Sequence, residues 1–120
     1  MSADAGLIDW VEECLEPLGS LSKRAMMGGA TLYLDGTVFA IVALDALWFK
    51  ADATSDSIWD EAGCERFTYD FGNGKTGSMN YRRAPDDVHD DGDAMREWAG
   101  RAVEAGLRAA AKKKPKRKPV

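Results

Sequence analysis

The sequence predicts an α+β fold, a two-layer sandwich in which helices lie mainly on one face of an antiparallel sheet of five to six strands. Three observations support this fold class. Apolar residues recur at helical spacing near both ends of the chain. Between them lie short apolar or alternating runs that are separated by turns rich in Gly and Asp. Those turns are too short for a crossover connection, so neighbouring strands must pair antiparallel.

The chain length fits one such domain. At 120 residues it can bury a single core without disulfide or metal staples, and Cys14 and Cys64 are expected as buried thiols. No apolar run approaches the ~18 residues of a membrane-spanning helix, and the N-terminus lacks the segments of a signal peptide. We therefore expect a cytoplasmic domain over residues 1–111, followed by a basic, disordered tail at residues 112–120.

The first helix is predicted over residues 4–16. Asp4 can accept hydrogen bonds from the free N–H groups of the first turn, and Pro17 ends the helix because it cannot donate the helical bond. The apolar stripe consists of Leu7, Ile8, Val11, Cys14 or Leu15, and Leu18.

A meander of three or four strands is predicted next. Asp35-Gly36 between apolar runs is a strong hairpin signal, because both residues tolerate positive φ. Gly28-Gly29 allows a bulge or a close approach of two backbones. The expected strands are residues 23–27, 31–34, 38–44 and 47–50.

A second helix and a hairpin complete the sheet. Thr54 or Ser55 can cap the helix, and Gly63 suits its C′ position, where the left-handed conformation is needed. The last two strands are predicted at residues 67–71 and 76–83.

The last helix is predicted over residues 93–111. Its apolar stripe consists of Met95, Trp98, Ala99, Ala102, Val103 and Leu107. Residues 1–111 carry 10 basic and 20 acidic side chains, whereas residues 112–120 carry six cations and no acid. The sequence therefore predicts an acidic domain with a basic arm.

The basic arm is one candidate site. Its cations could neutralise phosphates and bind nucleic acid without sequence specificity. A solubilising tail is an equal alternative, and the acidic domain would weaken binding to DNA. The candidate nucleic-acid contacts are Lys112, Lys113, Lys114, Lys116, Arg117 and Lys118.

The sequence shows no recognisable catalytic or metal-binding constellation. His89 is the only histidine and lies in an acidic turn, whereas a zinc site needs several converging ligands. Residues 74–76 resemble the end of a P-loop, but Tyr69 stands where the first glycine of that motif belongs. We therefore expect neither enzymatic activity nor a cofactor or metal.

One face of the sheet is expected to stay open. If the leucines on either side of Tyr33 point to the helices, Tyr33 points away from them, as do Trp48 and Lys50. Arg82 of the last strand is placed with them. An aromatic and basic face resembles a stacking platform for single-stranded nucleic acid. Such aromatics more often cover the core or meet a protein partner, including a second copy of the chain.

A series of motifs follows one order along residues 21–109. They are Met27-Gly28-Gly29, Leu32-Tyr33-Leu34-Asp35-Gly36, an apolar strand with Phe39, Leu47-Trp48-Phe49-Lys50, Ala62-Gly63-Cys64 followed by Phe67-Thr68-Tyr69, Met79-Asn80-Tyr81 followed by Pro85, and a closing helix with Trp98. In this order they resemble the TfoX/Sxy N-terminal domain family. Met27 and Ala30-Thr31 depart from the family, which usually has phenylalanine and often Tyr-Gly there.

The resemblance implies a non-catalytic, cytoplasmic bacterial adaptor that works through protein contacts. Members of the family are linked to natural competence and act as transcriptional co-regulators, in some cases with the cyclic-AMP receptor protein. Those regulators carry a second, helical C-terminal domain, which we do not expect here, so the competence role is only weakly implied. The partner would belong to the transcription machinery or its regulators, and a homodimer is an alternative. Candidate contacts are Met26, Met27, Gly28, Gly29, Tyr33, Trp48, Lys50 and Arg82.

Overall fold

The structure, a computed structural model, describes residues 5–26, 29–43, 46–72 and 75–113. Within these ranges a six-stranded antiparallel sheet and three α-helices follow the predicted order. The strands are β1 Leu21–Met26, β2 Gly29–Leu34, β3 Thr37–Ala43, β4 Ala46–Lys50, β5 Arg66–Gly72 and β6 Lys75–Arg83. The helices are α1 Ala5–Leu15, α2 Asp56–Glu61 and α3 Gly92–Lys113, with a short 3-10 helix at Asp86–His89.

The strands lie in the order β1-β2-β3-β4-β6-β5. The first four form a meander, and the β5–β6 hairpin adds to it through β6. The helices pack on one face of this sheet, as the sequence predicts. The core between the two layers includes Val11, Leu15, Leu32, Phe39, Leu47, Phe49, Trp59, Met95, Ala99 and Ala102. The predicted α+β two-layer fold is therefore confirmed.

Two predicted turns are confirmed by their backbone angles. Asp35 and Gly36 have φ of 51° and 85°, the pair of positive values that a type I′ hairpin needs. Asp35 also accepts a hydrogen bond from the Ser20 N–H at 3.0 Å, which fixes the entry to β1. Gly63 has φ of 76° just after α2. The close backbone approach expected at Gly29 is also present, because a Cβ there would lie 2.0 Å from the Val42 carbonyl oxygen.

The start of α2 is held by an aspartate. Ser55 occupies the N-cap but makes no side-chain capping bond, and its hydroxyl donates to Asp52 Oδ1 at 3.0 Å instead. Arg108 of α3 donates two hydrogen bonds to the same carboxylate, from Nε to Oδ2 at 2.6 Å and from Nη2 to Oδ1 at 3.0 Å. These hydrogen bonds lower the pKa of Asp52 to about 2. The pair joins α3 to the segment between β4 and α2.

The orientation of α3 differs from the prediction at Leu107. This leucine is 53% exposed, and the buried positions are Ala105 and Gly106. A Cβ at Gly106 would lie 2.2 Å from the Val38 carbonyl oxygen, so the helix backbone rests directly on β3. Small residues therefore set the contact, and Leu107 turns to solvent. The helix also continues through Lys113, two residues into the predicted tail.

Candidate functional site

The sheet face opposite the helices carries an apolar cluster of its own, formed by Ile41, Ala46, Trp48, Phe67 and Tyr81. Strands β3, β4, β5 and β6 each contribute to it. We call the surface that contains this cluster, together with Arg24, Tyr33, Lys50 and Arg83, the open face. Trp48 lies on it, as the alternation along β4 predicts.

Trp48 is the centre of this cluster, and it is buried. Only 4% of it is exposed. Its Nε1 donates to the Ala43 carbonyl oxygen at 3.0 Å, and the Phe67 ring meets it edge to face with the centroids 4.9 Å apart. A nucleic-acid base could not stack on a ring so covered. The stacking-platform interpretation of this residue is therefore wrong, and Trp48 acts as a local core residue.

Two cations cover the outer side of the cluster. The Lys50 Nζ lies 5.2 Å from the centroid of the Tyr81 ring. The Arg83 guanidinium carbon lies 5.8 Å from the centroid of the Trp48 ring. At solvent-exposed positions such contacts contribute ~0.5–1 kcal/mol each. Burial raises the pKa of the Tyr81 hydroxyl, with a smaller contribution from the nearby Tyr33.

The prediction that Arg82 joins this face is wrong. Arg82 is paired with Phe49 and points with it to the helix layer, where 3% of it is exposed. Its guanidinium donates to Asp60 Oδ1 at 2.8 Å, to Asp56 Oδ1 at 3.2 Å and to the Cys64 carbonyl oxygen at 2.9 Å. Arg82 therefore holds α2 against the sheet.

Arg83 occupies the place expected for Arg82. It is directly opposite Trp48, and its side chain is 54% exposed. The signal was present in the sequence, because Arg83 stands two residues after Tyr81 and successive alternate residues of a strand share a face.

A row of five residues crosses the open face. Arg24, Thr31, Ile41, Trp48 and Arg83 lie directly opposite one another from β1 to β6. Residues opposite each other in antiparallel strands point to the same side. With strands ~4.8 Å apart, the exposed cations at the two ends are separated by ~19 Å at their backbones. In the neighbouring row the half-buried Tyr33 lies opposite Ser22.

The other predicted contact residues are described only in part. Met26 ends β1 and Gly29 begins β2, while Met27 and Gly28 lie outside the described residues. In the basic arm, Lys112 is exposed and Lys113 is the last residue of α3. The remaining cations of the arm, Lys114, Lys116, Arg117 and Lys118, also lie outside the described residues.

Within the described ranges, no group of three or more His, Cys, Asp or Glu side chains is placed to hold a metal ion. Cys14 and Cys64 are free and buried, as predicted, and burial raises the pKa of both thiols. His89 is exposed at the end of the 3-10 helix. Among the described helices, none has the length and apolar character to cross a membrane.

Comparison with known proteins agrees with the order of the motifs. The DNA transformation protein TfoX1 of Aliivibrio fischeri (strain ATCC 700601 / ES114) is 33% identical to this chain over 55 residues. The aligned segment covers 46% of this chain and 26% of that relative. The TfoX N-terminal domain matches residues 13–106, which include all six described strands. Because this match extends over more than half of the chain, the protein belongs to the TfoX N-terminal domain family.

Proposed function

We propose that this protein is a non-catalytic regulatory domain of the bacterial cytoplasm that binds a protein partner through the open face. The observation that carries the proposal is the architecture of that face. A buried apolar cluster with three aromatic rings forms the base of the face, Lys50 and Arg83 lie over two of those rings, and the half-buried Tyr33 lies near Tyr81. Tyrosine and arginine are enriched at protein interfaces, because they combine apolar area with polar groups.

The process that the partner serves is proposed from the family. The name of the relative from Aliivibrio fischeri refers to DNA transformation. We assign this chain to regulation of DNA uptake or of the genes that it requires, as a co-regulator of transcription. A regulator of this kind needs a binding surface and no reacting groups, which fits the chemistry of the open face.

The test is capture of partners from a bacterial lysate after nuclease treatment, with the full chain as bait. Arg83→Ala should reduce the amount of a retained protein, because it removes an exposed cation from the open face. Arg101→Ala is the control, because Arg101 also lies over an aromatic ring but in the helix layer. Its guanidinium carbon is 5.0 Å from the centroid of the Trp98 ring. Equal capture by both variants would contradict the proposal. Trp48→Ala is unsuitable, because Trp48 is part of the core of this face.

The basic arm supports a second candidate function, weak nucleic-acid binding without sequence specificity. Six cations in nine residues are the observation that favours it. Affinity for a DNA duplex should then fall steeply with salt, and replacement of the six cations by glutamine should abolish it. Binding that is insensitive to salt would exclude the arm as the site.

A further inference from the structure

The acids of this protein are segregated to one of its two layers, whereas basic residues occur in both, and several arginines of the helix layer pair with acids there. Residues 1–111 carry ten more acids than bases. The described acids concentrate in the helix layer and its connections, where α1 exposes Asp9, Glu12 and Glu13 and the turn after it exposes Glu16. The charged residues described on the open face are all cations, namely Arg24, Lys50 and Arg83. The acid next to them is Glu65, which lies 4.0 Å from Arg83 and is itself 66% exposed.

From this segregation we infer that the open face docks an acidic protein segment, an inference that rests on the proposed function and specifies its partner. Arg24 and Arg83 lie at the two ends of the row of five residues that crosses the open face, and Lys50 lies beside that row. Their backbone separation of ~19 Å equals about six residues of an extended chain. A segment of that length with carboxylates near both ends would meet a cation at each end of the row.

Two observations favour a protein segment over nucleic acid as the acidic partner. The rings of Trp48, Phe67 and Tyr81 are each at most 8% exposed, so they offer no faces on which bases can stack. The acidic helix layer also repels a long polyanion, whereas a segment with a few carboxylates is attracted locally by Arg24, Lys50 and Arg83. The face therefore suits a short pattern of negative charge.

The experiment is a residue-resolved NMR titration of the full chain at low salt with a capped peptide of alternating glutamate and threonine. The amide signals of β1, β4 and β6 near Arg24, Lys50 and Arg83 should shift on binding. The same peptide with glutamine in place of glutamate should bind more weakly. Each of Arg24→Glu and Arg83→Glu should weaken the glutamate peptide by ~2–5-fold, the effect of losing one partly exposed ion pair. Arg101→Glu, the matched reversal in the helix layer, should leave the affinity unchanged.

Several outcomes would overturn the inference. One is equal affinity for the glutamine and glutamate peptides. A second is that the NMR shifts are confined to the end of α3. A third is that a thymidine oligonucleotide binds the same face more tightly than the glutamate peptide does. A fourth is self-association in which the open face meets the acidic side of α1 in a second copy. If Arg83→Ala still lowers capture from a lysate while the glutamate peptide does not bind, the partner is not acidic and only this inference fails. Melting curves of each variant separate lost binding from lost folding.

Discussion

The packing of α3 on β3 predicts opposite effects for one substitution at two glycines of the same helix. At Gly106 the added Cβ of alanine would lie 2.2 Å from the Val38 carbonyl oxygen and 2.8 Å from Thr37 Cγ2. Both distances are shorter than real Cβ contacts, so the helix must move away from the strand. At Gly100 an added Cβ meets nothing within 4 Å.

Two opposing energies decide whether alanine stabilises or destabilises the domain at each glycine. Alanine in place of glycine inside a helix stabilises by ~1 kcal/mol. Overpacking a filled contact costs ~1–3 kcal/mol. Gly100→Ala should therefore gain up to ~1 kcal/mol in free energy of unfolding, whereas Gly106→Ala should be neutral or lose up to ~2 kcal/mol. The difference between the two variants isolates the packing cost, because the change in helix propensity is the same.

Urea unfolding followed by tryptophan fluorescence measures this difference directly. A change of 1 kcal/mol corresponds to about 4 °C in Tm for a domain of this size, so thermal melts provide an independent check. The order of stability should be Gly100→Ala, then the original chain, then Gly106→Ala. If Gly106→Ala proved as stable as Gly100→Ala, the close approach of α3 to β3 would be refuted.

Three further predictions concern other parts of the fold. Trp48→Ala should lower the free energy of unfolding by ~3–5 kcal/mol in urea titrations, because it removes a buried ring; a loss below ~1 kcal/mol, the usual range for surface substitutions, would contradict its burial. The pKa of Asp52 falls from 3.8 to about 2 on folding, so its stabilising effect is complete above pH 3.8 and is lost as the pH falls through 2. Asp52→Asn should therefore reduce the loss of Tm between pH 7 and pH ~2, and an unchanged acid dependence would count against the Arg108 pair. Cys14 and Cys64 should react with iodoacetamide much more slowly in the folded chain than in urea, since thiolates are the reacting species and both groups are buried with raised pKa values; equal rates would show that the thiols are accessible.

The features that the sequence predicted correctly depend on neighbours in the chain. The Asp35-Gly36 turn, the helix end at Gly63 and the order of the elements follow from local spacing and backbone preference. The sequence left open whether Trp48 covers the core or meets a partner, because its burial requires Phe67 from a hairpin that joins the sheet later in the chain. The bond between Asp52 and Arg108 likewise joins two segments that no local pattern relates.

The candidate site was likewise predicted correctly only where local alternation was enough. Alternation placed Tyr33 and Trp48 on the correct side of the sheet, and it would have placed Arg83 there if it had been applied from Tyr81. Arg82 was misassigned because it pairs with the aspartates of α2, which only the folded chain brings near it. The rotation of α3 about its axis, which turns Leu107 to solvent, depends on how closely Gly106 approaches β3. Hydrophobic periodicity does not predict that distance.

The strand order also divides the sheet into two units of consecutive strands. Each unit, the meander β1–β4 or the hairpin β5–β6, closes through turns between consecutive strands. The seam between them pairs Trp48, Phe49 and Lys50 with Arg83, Arg82 and Tyr81, which come much later in the chain. Closing it costs the most loop entropy, and short contact-rich units tend to open separately. Amide hydrogen exchange along this seam should therefore report a partial opening that splits the open face, so a partner bound across β4 and β6 would slow exchange there by holding the two units together.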